Sequence, residues 1–199
     1  MAHLWLARIH QIGSDRDAAE RALRAGVGLA DKFLAGRPEE TGWELAGIKL
    51  RVMLGNVLAS KGEVEAAVEV LRPAATMADH LAKIHPAEDL WSEDVDDPYY
   101  VLGLVLMQQN DLSPEALRVH ERAYAYAEQR RREDPGDADQ GWLLFQLCLY
   151  RAALLGKAGD HAGARAAWER AHALAESLPV ENRTHEQIKA RLSGAGDVS

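Results

Sequence analysis

The sequence predicts an all-α protein made of four helix-turn-helix repeats. Four short turn segments contain Gly13, Gly62, Asn110 and Gly159, and the spacings between these markers are 49, 48 and 49 residues. An apolar segment of helical period precedes each marker, and an alanine-rich segment of the same period follows it. Strand-type alternation does not occur in the sequence, and β-branched residues are few. A fixed period of this length is typical of repeated supersecondary units, so each unit is predicted to be a pair of helices.

The first two repeats cover about residues 1–37 and 41–86. In the first, Ser14 is placed to cap the second helix, with Asp17 three residues later in the manner of a capping box. In the second, Pro73 falls inside the second helix and is expected to kink or break it. The apolar residues of that helix follow the three-and-four spacing of one helix face: Val64, Ala67, Val68, Leu71, Ala75, Ala78 and Leu81.

The third and fourth repeats cover about residues 97–135 and 137–179, and a tail follows from 180 to 199. Asp97 and Ser113 each precede a proline, which predicts an N-cap followed by proline at the first helical position. The residue before a proline avoids the α-helical region, so the second helices are predicted to end before Pro38, Pro86, Pro135 and Pro179. A C-terminal capping helix is expected in the tail, and all elements are expected to form one domain over residues 1–199.

Composition and charge limit the kinds of partner and the compartment. The chain of 199 residues is 47% hydrophobic and carries a formal net charge of −8. Because neutralising phosphates takes clustered Lys and Arg, this acidic balance disfavours a nucleic-acid partner. No stretch approaches the length of a membrane span and the N-terminus lacks a signal-peptide pattern, so we expect a cytoplasmic protein without a membrane partner. Cys148 is the single cysteine and lies in an apolar run, which predicts a buried, unreactive thiol.

The positions of small and large residues in these helices resemble the tetratricopeptide repeat. That motif has Leu-Gly near the middle of its first helix, and small residues on either side of a larger one on its second. The second repeat carries Leu54-Gly55, Leu58, Gly62, Ala67, Leu71 and Ala74; the third carries Leu102-Gly103, Leu106, Ala116, His120 and Ala123; the fourth carries Arg151-Ala152, Leu155, Gly159, Ala164, Trp168 and Ala171. The first repeat matches more weakly, with Trp5-Leu6, Ile9, Gly13, Ala18, Ala22 and Ala25.

The resemblance implies an α-α superhelix, a tetratricopeptide-like solenoid of extended repeats. The period of 48 to 49 residues is nearer the length of HEAT or armadillo units, so a generic α-solenoid stays open. Gly55, Gly103 and Ala152 are expected where the two helices of a hairpin approach closely. A larger side chain there would force the helices apart.

The resemblance also implies that the first helices line a concave, partner-binding face. Carried over by position, that face comprises His3, His10, Lys49, Val52, Asn56, Tyr100, Leu104, Met107, Gln108, Gln146, Leu149, Tyr150 and Lys157. Such a mixture suits an extended or helical peptide, so the implied function is non-enzymatic binding of a protein segment. A clamp for chaperone tails is not expected. Asn56 fits that pattern, but Val52, Val101 and Tyr150 replace the polar and basic residues that it needs.

Signals for enzyme chemistry are weak in this sequence. The run Asp94-Val95-Asp96-Asp97 has the spelling of a terpene-cyclase motif, but it lies in an acidic linker before a helix start, where charge alone accounts for it. A metal site is not expected because the two nearest histidines, His80 and His85, would point to different sides of a helix. His120 and His172 are interpreted as packing residues. We therefore expect neither catalysis nor a metal or cofactor.

Two other functions stay open from the sequence. One is a regulatory or oligomerisation module of a larger bacterial signalling protein, such as a kinase or a transcriptional regulator; a homo-oligomer is compatible with it. The other is an enzyme with its site in the groove between the repeats, which would need a bound metal or cofactor.

Overall fold

The computed structural model describes residues 16–36, 41–85 and 97–177, and these ranges contain seven α-helices and no strand. In chain order they are α1 (Arg16–Gly36), α2 (Thr41–Ser60), α3 (Val64–Ile84), α4 (Pro98–Gln108), α5 (Pro114–Glu133), α6 (Ala138–Lys157) and α7 (His161–Ser177). The predicted first helix of the first repeat, the Ser14 cap, the acidic linker and the tail with its capping helix lie outside the described residues.

The helices pack mainly against their neighbours in the sequence, which confirms the all-α prediction and is consistent with an array of helical hairpins. The chain forms two compact units, residues 1–111 and 112–199. In the first unit α2 packs against α1, α3 and α4, and α3 also packs against α4. In the second unit α6 packs against both α5 and α7. The superhelix, the four-repeat count and the single domain stay predictions.

Three of the four predicted turns have the same backbone geometry. Their marker residues adopt positive φ angles of 80° at Gly62, 53° at Asn110 and 85° at Gly159. In each turn the residue after the marker donates its N–H to the carbonyl of a leucine five residues earlier, at 2.9, 3.0 and 2.9 Å: Leu58, Leu106 and Leu155. This is the Schellman motif, which satisfies the last carbonyls of a helix and favours glycine or asparagine at the left-handed position. The marker at Gly13 lies outside the described residues.

The predicted caps are confirmed at two helix starts. The Asp97 carboxylate accepts a hydrogen bond from the N–H of Tyr99 at 2.7 Å, ahead of Pro98. The Ser113 hydroxyl accepts one from the N–H of Ala116 at 3.1 Å, ahead of Pro114. The ends of α3 and α5, at Ile84 and Glu133, also fall just before the His85-Pro86 and Asp134-Pro135 pairs, as the prolines predict.

Pro73 does not break its helix, so that part of the sequence prediction is wrong. The helix α3 runs from Val64 to Ile84 with Pro73 inside it. Pro73 lies on the exposed side, as does Glu69, whose carbonyl loses the hydrogen bond that a residue with an N–H would donate. Water can satisfy that carbonyl, and the opposite side of the helix buries Leu71, Ala74 and Ala75 in the core. Burial of that side outweighs the local cost of the proline.

The close approach predicted at Gly55 is confirmed. Gly55 is buried in α2, and a Cβ atom on it would lie 2.6 Å from Cγ of Leu71 in α3. Leu71 is itself fully buried, so it has little freedom to move away. Gly103 is also buried and Ala152 is half-buried; their roles in close approach stay predictions.

Candidate partner-binding faces

The predicted binding residues fall on the least-buried sides of α2, α4 and α6, apart from two that lie outside the described residues and three that are buried. His3 and His10 lie outside the described residues. Val52, Tyr100 and Tyr150 are buried, with 3%, 4% and 6% of their surface exposed. In this conformation these three side chains offer almost no area to a partner, and alanine at any of them would disturb packing as well as binding. Whether they contact a partner stays a prediction.

The first candidate face, here called the α2–α4 face, belongs to the first unit. On α2 it comprises Lys49, Met53 and Asn56, which recur at the spacing of one helix side and are all half-buried. On α4 it comprises Leu104 and Met107, both half-buried, and Gln108, which is exposed. These two helices are in contact, while α1 and α3 cover other sides of α2. The sequence-based prediction missed Met53. Its position four residues after Lys49 places it on the same side of the helix and could have revealed it.

The second candidate face, here called the α6 face, belongs to the second unit. Gln146 and Leu149 are half-buried and Lys157 is exposed, on the side of α6 that points away from the buried Leu144 and Cys148. Trp142 lies on the same side, one turn before Gln146, and the sequence-based prediction missed it. Its ring stacks on the fully buried Phe145 with the centroids 5.1 Å apart, and this contact holds it in place.

The polar groups on these faces are not engaged within the described part of the chain. Lys49, Asn56, Gln108, Gln146 and Lys157 form no hydrogen bond or ion pair with any described residue. By contrast, Lys61 at the α2–α3 turn pairs with three carboxylates, those of Asp17, Glu20 and Glu63, at 2.8, 2.7 and 3.0 Å. The first group can therefore bind a partner without giving up an internal contact, whereas Lys61 cannot.

Polar contacts behind the α2–α4 face hold α2 against its neighbours. Arg51 is buried; its guanidinium donates to the Asp31 carboxylate of α1 at 2.6 Å and to the carbonyl of Gly47 at 3.2 Å. Glu44 is also buried, and both of its carboxylate oxygens lie 2.9 Å from Nδ1 of His80 on α3. These contacts link α2 to α1 and to α3, so the face is presented by a helix that is held on both sides.

The second unit contains a cluster of polar groups beneath its surface. The Tyr124 hydroxyl donates to the Glu128 carboxylate at 2.8 Å, and Arg170 of α7 pairs with the same carboxylate at 3.2 Å. The Cys148 thiol lies 3.9 Å from the Tyr124 oxygen. Burial raises the pKa of Cys148 to about 11 and, together with the Glu128 hydrogen bond, raises the pKa of Tyr124. Both groups are therefore neutral near pH 7, and the predicted burial of the thiol is confirmed.

The described residues contain no assembled metal site and no membrane span. Nowhere in the described ranges do three or more His, Cys, Asp or Glu side chains converge as ligands for a metal ion would. None of the described helices combines the length and apolar character that crossing a bilayer requires.

Comparison with known proteins does not identify a family. No protein-family model matches this chain, and comparisons with curated proteins and with solved structures give no match. The shared result of sequence and structure is an all-helical protein whose helices pack sequentially.

Proposed function

We propose that this protein is a non-enzymatic cytoplasmic scaffold, a tetratricopeptide-like solenoid of four extended repeats, that binds a segment of another protein along its first helices. The observation that carries the proposal is the character of the α2–α4 and α6 faces. Each is the open side of a helix packed elsewhere against its neighbours, and each carries polar groups that no described residue engages.

The chemistry of the α2–α4 face favours a peptide in an extended or helical conformation. Met53, Leu104 and Met107 are half-buried and provide some accessible apolar surface, and the flexible thioethers adapt to side chains of different shape. Asn56 and Gln108 can each donate and accept hydrogen bonds, as a peptide backbone requires. Lys49 adds one positive charge, so an acidic side chain or a C-terminal carboxylate is the expected charged group in the partner.

The proposal is tested by selecting peptides from a random display library on the full chain and measuring their affinities by fluorescence anisotropy. The double variant Lys49→Ala/Gln108→Ala removes two unengaged groups from the α2–α4 face. It is expected to weaken binding about tenfold or more, since hydrogen bonds to charged groups contribute about 1.5–3 kcal/mol. The matched control is Lys83→Ala/Thr76→Ala, which changes two exposed residues of α3 and is expected to leave the affinity within about twofold.

Two results would contradict the proposal. One is equal loss of affinity in both double variants, which would place the contact elsewhere. The other is a failure to select any peptide that binds specifically, that is, any labelled peptide that an excess of the same unlabelled peptide displaces. Circular dichroism of each variant, with an unchanged helical spectrum, keeps loss of fold separate from loss of binding.

A further inference from the structure

His120 is the one histidine in the described ranges that is fully buried. It lies on α5, its exposed fraction is 0%, and neither ring nitrogen has a hydrogen-bond partner among the described residues. The other described histidines, His80, His85, His161 and His172, are partly or largely exposed. A buried polar group without a partner is costly even when neutral, and a buried charge without a partner is much more costly.

No described group in the second unit accepts a hydrogen bond from the His120 ring, and no free carboxylate faces it. From α6, Tyr150 packs edge-to-face against the imidazole with the centroids 5.2 Å apart, and the Arg151 charge disfavours a second cation. From α5 itself, the Tyr124 ring lies 6.1 Å away. The one carboxylate in this cluster, Glu128, is occupied by the Tyr124 hydroxyl and by Arg170 from α7. The Cys148 thiol is neutral and carries no charge that would offset the imidazolium.

We propose that His120 is an acid-sensitive switch: its protonation opens the contact between α5 and α6 and so destabilises the second unit in mild acid. An imidazolium has two N–H donors, and inside the closed unit neither finds an acceptor among the described residues. Separation of α5 from α6 lets water solvate the ring, and the same movement relieves the repulsion from Arg151.

The direction of the pH effect follows from the two states of His120. Burial, and secondarily the Arg151 charge, lowers its pKa in the folded protein from 6.5 to about 4. The unfolded chain therefore binds the proton first, and the folded unit loses stability as the pH falls from about 6.5 toward 4. Below the folded pKa both states are protonated, and His120 causes no further loss.

The repeat pattern offers a variant that removes the switch and keeps the packing. Leu71 lies 49 residues before His120 and Trp168 lies 48 residues after it, so the second and fourth repeats carry an apolar residue at this position. His120→Leu is therefore the informative substitution.

The experiment compares wild type and His120→Leu by urea unfolding between pH 7.5 and 4.5. Hydrogen exchange, corrected for intrinsic rates, is followed separately in peptides from residues 41–85 and 112–177. The wild-type unfolding equilibrium constant is expected to rise on the order of 100-fold more than that of the variant over this range, with the extra exchange confined to residues 112–177. An identical pH dependence in the two proteins would overturn the proposal.

Two further measurements keep the proposal testable. His161→Gln changes an exposed histidine of the same unit and is expected to keep the wild-type acid response; loss of that response would count against His120 as the sensor. If His120→Leu does not fold, the histidine ring protons of the wild-type protein are titrated by NMR. One ring is expected to stay neutral down to about pH 5, and titration of every ring above pH 6 would refute the proposal.

Discussion

Gly55 and Gly28 both lie inside helices, but a Cβ atom would meet very different surroundings at the two positions. At Gly55 it would lie 2.6 Å from Leu71, whereas at Gly28 of α1 no described atom beyond the adjoining residues and backbone of the same helix lies within 4 Å. We expect Gly55→Ala to destabilise the protein by about 1–3 kcal/mol, because the buried Leu71 must shift. Gly28→Ala, the matched control, is expected to stabilise it by about 0.5–1 kcal/mol, because alanine loses less backbone entropy in a helix.

Urea unfolding followed by circular dichroism checks this pair of substitutions. Equal and small effects at the two positions would mean that α2 and α3 do not approach closely at Gly55.

For single residues, the sequence predicted the surroundings of some side chains and not of others. Gly55 was predictable because the resemblance to the tetratricopeptide repeat implies a close approach of two helices at the residue after Leu54, where only a small side chain fits. His120 is buried, as a packing residue would be. Its lack of hydrogen-bond partners depends on which acceptors the neighbouring helices bring close, and the sequence does not contain that information. The burial of Val52 and Tyr100 was missed for a related reason. Both α2 and α4 are apolar on most sides, so periodicity alone does not show which side stays open.

Among the elements, α3 provides the clearest test of how tertiary packing overrides local preference. Its proline is exposed, and the helix continues through it because the opposite side is buried. We expect Pro73→Ala to stabilise the protein by about 1–3 kcal/mol, because the substitution restores a backbone hydrogen-bond donor inside the helix. Part of this gain is lost because alanine leaves the unfolded chain with more conformational entropy than proline does. Glu69→Ala, an exposed neighbour in the same helix, is expected to change stability by no more than about 0.5 kcal/mol.

Thermal and urea unfolding of the two variants measure this difference. A Pro73→Ala protein less stable than wild type would show that α3 is not a continuous helix through position 73.

The turns between helices were the most predictable elements. Gly62, Asn110 and Gly159 take the left-handed conformation that glycine and asparagine tolerate. Their residue types and their regular spacing therefore both indicate a helix end at these positions. The caps at Asp97 and Ser113 were predictable for the same reason, because side chain and helix start are adjacent in sequence. The effect of Pro73 was not, since it depends on contacts with residues distant in sequence.

For the whole molecule, the central claim is that the open sides of the first helices bind a partner. NMR titration of the labelled full chain with a display-selected peptide tests it most directly. For a peptide that binds the α2–α4 face, we predict amide shift changes at Lys49, Asn56, Leu104, Met107 and Gln108. For a peptide that binds the α6 face, we predict them at Gln146, Leu149 and Lys157. In both cases the exposed sides of α3, α5 and α7 are expected to stay unchanged. Shift changes centred on those second helices, with α2, α4 and α6 unaffected, would contradict it.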